Sequence, residues 1–183
     1  MIILASASPR RGELLDQIGV PYQTYPVDID ETPQQGESAK TLVQRLALEK
    51  AQAAYEQLQT DLPVLGADTL GLMDGEILVK PRDFDHAYSM LRKMSDATHQ
   101  IMTAVAIIHQ GKVSTALNIN QVTFCPISDA EIKAYWASGE PQDKAGAYAI
   151  QGKGAVFIKH IEGSYSGVMG LPLYEVGQLL SAF

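Results

Sequence analysis

Met1-Ile-Ile-Leu-Ala-Ser-Ala-Ser-Pro-Arg-Arg11 decides how this chain is read, because it carries the handover from a strand to a helix. Met1 to Ala5 is an apolar run of strand length. Beyond Arg11, Leu14, Leu15 and Ile18 recur at helical spacing, and Gly19 closes the turn. Ser8 suits the N-cap, and Pro9 suits the first helical position, where its missing N–H would be unpaired in any case. A helix start presents free N–H groups and the positive end of the macrodipole. Ser6, Ser8, Arg10 and Arg11 add two hydroxyls and two fixed positive charges to it. That combination is a receptor for a phosphate chain, or else an ordinary capped helix with two solvated arginines.

The alternation begun there continues. Tyr22 to Val27 reads as a strand, followed by a polar stretch with Asp28, Asp30 and Glu31. Residues 39–58 form the clearest helix, with Leu42, Leu46, Ala53 and Leu58 on a broad apolar face. Pro63 to Ala67 is a buried-looking strand that ends at Asp68-Thr69. Asp74-Gly75 between two apolar runs signals a hairpin. Asp83 caps a helix running to Met94. Gln100 to His109 and Lys112 to Phe124 are long strands about a Gln110-Gly111 turn. Ser128 to Glu131 is a capping box for a helix ending near Ser138, with Gly139 as its stop. A glycine-rich passage, Asp143 to Gly154, leads to a strand at Ala155 to Ile161, and a last helix follows Pro172. Strands joined through hairpins as well as helices predict an α/β fold with a mixed sheet.

The 183 residues suffice for one domain with a sizeable core, and no repeat or linker divides them. A net charge of −7 argues against a nucleic-acid surface, yet a local basic cluster can act inside an acidic protein because distant exposed charges are screened. No apolar stretch has membrane-spanning length, and the start lacks a signal-peptide pattern. The single cysteine, Cys125, has no internal disulfide partner and reads as a small buried strand residue, which fits a reducing cytoplasm. His86, His99, His109 and His160 lack metal-ligand spacing, and His99 and His109 read as incidental strand-end residues. Neither a Gly-x-x-x-x-Gly-Lys loop nor a Gly-x-Ser-x-Gly elbow occurs.

Several polar residues stand where chemistry would need them, and each also has a plain structural reading. Asp68, just past an apolar strand, is either a catalytic carboxylate at a strand end or a turn aspartate. Glu31 is a loop acid, in the ordinary case simply solvated. Lys50 lies on or beside the apolar face of its helix, where a snorkelling lysine is the default. Lys80 precedes Pro81 at a hairpin exit. Lys144 sits among the small residues of Asp143-Lys-Ala-Gly-Ala-Tyr148, which permit close backbone approach.

Taken in order, Leu4-Ala-Ser-Ala-Ser-Pro-Arg-Arg11, Gly66-Ala-Asp-Thr69, Lys80-Pro81, Asp143-Lys-Ala-Gly-Ala-Tyr148, Ile150-Gln-Gly152 and Gly170-Leu-Pro172 resemble the Maf family across residues 2 to 180. The resemblance implies a single Maf-like domain over residues 1–183. Its fold would be an elongated mixed sheet flanked by helices, in two lobes with a central cleft, related to inosine triphosphatases. It implies a nucleoside triphosphate pyrophosphatase: water attacks the α-phosphorus, releasing a nucleoside monophosphate and pyrophosphate. It also implies a divalent cation (magnesium or manganese), a cytoplasmic location and a homodimer, with a nucleotide rather than a nucleic acid or a membrane as partner. Arg10, Thr69 and Gln151 match the branch that hydrolyses dTTP and UTP, rather than the one acting on 7-methyl-GTP. Ser166-Gly167 departs from the asparagine or bulkier residue of many relatives.

On this resemblance Asp68 is the proton acceptor, with Glu31 as a second metal ligand and Lys50 and Lys80 as point charges on the bridging and leaving oxygens. Ser6, Ser8, Arg10, Arg11, Thr69, Lys144 and Gln151 contact substrate. A nucleotide-binding regulator of cell division with little turnover is the alternative from another class. It requires Asp68 to be dispensable.

Overall fold

The computed structural model describes residues 1–182. Its strands are β1 (Ile2–Ala5), β2 (Tyr22–Thr24), β3 (Val64–Met73), β4 (Glu76–Leu78), β5 (Thr98–His109), β6 (Lys112–Phe124) and β7 (Ile158–Glu162). Its helices are α1 (Pro9–Gln17), α2 (Ala39–Leu58), α3 (Phe84–Met94), α4 (Asp129–Ala137), α5 (Tyr165–Met169) and α6 (Leu173–Leu180). The seven strands join one sheet in the order β2-β1-β3-β5-β6-β7, with β4 paired to β3. β1 runs parallel to both β2 and β3, whereas β3–β4 and β6–β7 are antiparallel, so the sheet is mixed. No described helix is long and apolar enough to cross a membrane.

The chain forms two compact units, and β3, β5 and β6 contribute residues to both. Among the described residues, the first comprises 1–69, 102–118 and 166–182. Both faces of β1 are buried there, as expected of a parallel strand covered on two sides. Ile2 and Leu4 join Leu14 and Leu15 of α1, Val105 and Ile107 of β5, and Val176 of α6. Ile3 and Ala5 face Ala54 of α2 and Val64. Gly66 lets α2 lie directly on β3: a Cβ there would stand 2.6 Å from the Ala51 amide nitrogen and 2.9 Å from its Cβ. The second unit comprises residues 70–101 and 119–165. Its core gathers Met90, Leu91, Met94, Phe124, Ile127, Ile132 and Phe157.

The helix at 39–58 and the Ser128–Glu131 capping box occur where the pattern requires. The hairpin turn is made by Asp74 and Gly75, both at positive φ. Three strand boundaries differ clearly from expectation. β2 stops at Thr24, since Pro26 has no N–H to give a ladder. β3 runs on through Asp68-Thr69 into its hairpin, so Asp68 lies within a strand rather than past its end. β7 begins at Ile158, because Lys153–Phe157 is wound into a 3-10 turn. The short α5 carries no period long enough to read. Cys125 lies just after β6 and is half-exposed, so it is not a buried strand residue.

Candidate functional site

Ser8 caps α1 with extended backbone and Pro9 takes the first turn, yet the Ser8 hydroxyl makes no capping bond. Its N–H donates instead to Ser6 Oγ at 3.2 Å. The two arginines diverge in environment. Arg11 turns inward, donating from Nε to Gly170 O at 2.8 Å, from Nη1 to Ser6 Oγ at 2.9 Å and from Nη2 to Thr69 Oγ1 at 3.3 Å. Arg10 is half-buried and has no ion pair among the described residues. A pocket of about 480 Å³ opens at the helix start, lined by Ser6, Ser8, Gly12, Tyr22 and Thr24, with Glu13 and Asp16 in its wall.

Lys50 does not snorkel. Its ammonium sits between Glu31 Oε1 at 2.6 Å and Asp68 Oδ1 at 2.7 Å. The close α2–β3 approach at Gly66 explains the reach: Lys50 precedes Ala51 on the helix, and Asp68 follows Gly66 by two residues on the strand. Glu31 arrives on a loop anchored to α2 by Arg45, which pairs with Glu37 at 2.7 Å and donates to Thr32 O at 3.1 Å. The side chains of Lys50 and Asp68 are each 13% exposed, against 59% for Glu31. Burial holds the Asp68 carboxyl above the usual carboxylate range; Lys50 and Arg11 pull it back without overcoming that penalty. Burial likewise lowers the Arg11 guanidinium, and the Asp68 charge opposes this. Arginine remains the cation in such a place because of its high intrinsic basicity.

Ser6, Ser8, Arg10, Arg11, Glu31, Lys50, Asp68 and Thr69 all belong to the first unit. Charge coupling of Arg11 to Arg10, Glu31 and Asp68 brings the arginine pair and the carboxylates into one electrostatic neighbourhood. Among the described residues no three His, Cys, Asp or Glu side chains form a metal-ligand cluster. Glu31 and Asp68 nonetheless converge on one cation. Two carboxylates suit magnesium when water and phosphate oxygens supply its other ligands.

Lys80, Lys144 and Gln151 belong to the second unit. Val79 O accepts the Gly146 N–H at 3.1 Å, which seats the 144–147 loop beside the β4 exit. Lys144 pairs with Asp143, and the positive charges of Lys144 and Lys80 both hold the Asp143 carboxyl below its usual range. Gln151 is exposed in a turn. The chain next to it is pinned by Glu140, which accepts from Tyr135 O–H at 2.7 Å, Lys153 N–H at 2.8 Å and Gly154 N–H at 3.0 Å.

Three features escaped the sequence reading. Glu140 lies outside any polar motif. Thr103 is fully buried and bonded to Thr69 Oγ1 at 2.9 Å; its signal is a lone hydroxyl inside the apolar run Ile101–Ile108. His99 is not incidental: it is 2% exposed and bonded through Nε2 to Tyr148 O–H at 2.7 Å.

Comparison with known proteins places this arrangement in context. The family profile described as Maf-like protein matches residues 1–183. A protein of Alkalilimnicola ehrlichii named dTTP/UTP pyrophosphatase is 53% identical, the match covering 100% of this chain and 92% of that protein. A Shigella dysenteriae protein of the same name shows the same identity and coverage. A Shigella flexneri relative, also 53% identical over 100% of this chain and 92% of its own length, is named nucleoside triphosphate pyrophosphatase. Among solved structures, a HAM1 protein from Coxiella burnetii superposes with a TM-score of 0.53 at 17% identity, covering 100% of this chain and 98% of that one, a likeness of fold.

Proposed function

This chain belongs to the Maf family, and from that premise we propose that it hydrolyses dTTP and UTP to the nucleoside monophosphate and pyrophosphate. The observation that carries the reading is the 53% identity, over the full chain, to relatives named for that activity. The chemistry then follows from the side chains. A triphosphate is a polyanion whose hydration is lost on binding, so it needs cations without competing internal partners. Arg10 is such a cation, and the positive end of the α1 dipole beside it favours anions. Arg11, already bonded through three of its nitrogens, acts as an oriented charge more than as a free hand.

In the reaction, the bond from a water oxygen to the α-phosphorus forms as the bond to the bridging oxygen breaks, and pyrophosphate departs. Asp68 takes the water's proton. Its burial makes it a stronger base than an exposed aspartate, which suits general-base work near neutral pH. Lys50 is already within reach of both acids and offsets charge growing on the bridging oxygen. Glu31 and Asp68 would hold a magnesium or manganese ion, which when bound neutralises phosphate charge and acidifies water.

We further propose that Lys80 and Lys144 meet phosphate oxygens and that Gln151 meets the base edge. Thymine and uracil present carbonyl acceptors around an N–H donor, and a glutamine amide offers both a donor and an acceptor. We extend the reading to a homodimer in the cytoplasm. The test is a panel of nucleoside triphosphates incubated with magnesium or manganese, with products separated by ion exchange. Preferential release of pyrophosphate from dTTP and UTP is expected. Release of orthophosphate, or cleavage of 7-methyl-GTP in preference, would overturn the assignment.

A further inference from the structure

We propose that Thr103 is a positioning residue, which fixes the Arg11 guanidinium through Thr69 by a hydrogen-bond relay of a single direction; its kinetic consequence rests on the pyrophosphatase reading. Thr103 Oγ1 lies 2.8 Å from Gly167 O and 2.9 Å from Thr69 Oγ1. A carbonyl oxygen only accepts, so the one hydroxyl proton of Thr103 goes to Gly167. Thr103 Oγ1 must therefore accept from Thr69, whose own single proton is spent there. Thr69 Oγ1 is left as an acceptor, and Arg11 Nη2, which can only donate, meets it at 3.3 Å. The sequence of donors is fixed: Arg11 to Thr69, Thr69 to Thr103, Thr103 to Gly167.

Two consequences follow. Thr69 has no proton to offer a substrate, so it acts on nucleotide choice only as an acceptor or through Arg11. The segment containing Gly167 and Gly170 is also gripped twice, once by Thr103 and once by Arg11 Nε at 2.8 Å. A buried hydroxyl in an apolar strand needs a bonded partner to be tolerated, and valine would fill the same volume without that demand. Thr103 is fully buried in a strand stretch whose neighbours in sequence, Met102, Ala104 and Val105, are buried and apolar, so valine would otherwise serve there. Its hydroxyl is kept for the relay.

Steady-state kinetics with dTTP on Thr103→Val and Thr103→Ser, together with 15N NMR of the Arg11 Nε–H, test this. Thr103→Val should raise KM about tenfold, since a slightly displaced phosphate contact weakens binding. It should change kcat by less than about threefold, because the lost interaction is made in ground and transition states alike. Its Arg11 Nε–H should exchange with solvent about tenfold faster as that local bond opens more often. Thr103→Ser should restore both readouts. Unchanged KM and exchange in Thr103→Val, or equal damage in the valine and serine variants, would overturn the relay. If Thr103→Val fails to fold, Thr69→Val cuts the relay one link earlier with the Thr103–Gly167 bond intact, and Arg11 Nε–H exchange alone is read: faster exchange supports the relay and unchanged exchange overturns it. If the wild-type protein cleaves no triphosphate, the pyrophosphatase reading fails, while Arg11 exchange still decides the relay.

Discussion

Each unit buries a polar cluster, and the two clusters handle charge in opposite ways. In the first, Arg11 and Lys50 are partly buried and Asp68 is buried, and all three are ionisable, with Glu31 as a fourth, exposed partner. In the second, His99, Phe124 and Tyr148 pack edge to face at 4.8 to 5.4 Å between ring centroids. Burial alone pushes His99 down to about 4 and Tyr148 upward, so both stay neutral at physiological pH. Burying ions is costly and is tolerated only where opposite charges lie close together. A neutral aromatic cluster costs little and holds the fold. A charged one gives up stability and gains the ability to respond to a polyanion and to a proton.

The largest expected effect breaks the charged cluster. Asp68→Asn removes the proposed base and leaves Lys50 its bond to Glu31, so the chain should fold as before. Turnover of dTTP at saturating metal should fall about 10²- to 10⁴-fold, the usual worth of a general base. Circular dichroism checks the fold and a pyrophosphate assay checks the rate. A variant within threefold of wild type, a span of about 0.7 kcal/mol, would remove Asp68 from the proton-accepting role.

The neutral cluster makes a smaller prediction of stability. In the unfolded chain His99 takes a proton as pH falls through about 6.5, but the folded protein refuses it until about 4. Stability should therefore decline as pH drops across that window, by at most about 3 kcal/mol at the lower end. Asp68, raised by burial, contributes with the opposite sign, so the comparison must be made between proteins that both retain it. Urea unfolding of wild type and His99→Gln at pH 7 and pH 4.5 makes that comparison. The variant should lose clearly less stability on acidification. Parallel losses would mean that His99 does not drive the acid response.

Much of this was legible in the chain, and the gaps share a cause. The 39–58 helix, the Asp74-Gly75 hairpin and the Ser128 capping box are local: period, turn chemistry and caps fix them without knowledge of neighbours. The strand-to-helix handover at residues 5–9 is local too. What could not be read depends on partners far along the chain. Arg11 meets Gly170 across 159 residues, Thr103 meets Gly167 across 64, and Glu140 captures Lys153 and Gly154 across 13 and 14. Lys50 looked like a snorkelling side chain because its helix face says nothing about Asp68 eighteen residues later. The strand expected from Ala155 begins at Ile158 for the same reason: Glu140 holds the Lys153 and Gly154 amides at the head of the 3-10 turn that takes its place.

The smallest predicted effect asks whether the second unit contributes only shape, or chemistry as well. Gln151 is exposed and lies outside the neutral aromatic cluster, so Gln151→Glu should shift stability by no more than about 0.5 kcal/mol. On the proposed base contact, however, a carboxylate is acceptor-only and would meet the carbonyls of thymine or uracil without a proton to give. A mismatched contact of that kind costs about 1–3 kcal/mol, or roughly ten- to hundredfold in relative kcat/KM. Guanine, which shows adjacent donors on that edge, should gain relative to dTTP and UTP. Competition assays with dTTP and GTP give the ratio directly. A ratio that does not move would confine nucleotide choice to the charged cluster of the first unit, with the relay from Arg11 to Thr103 as its physical basis.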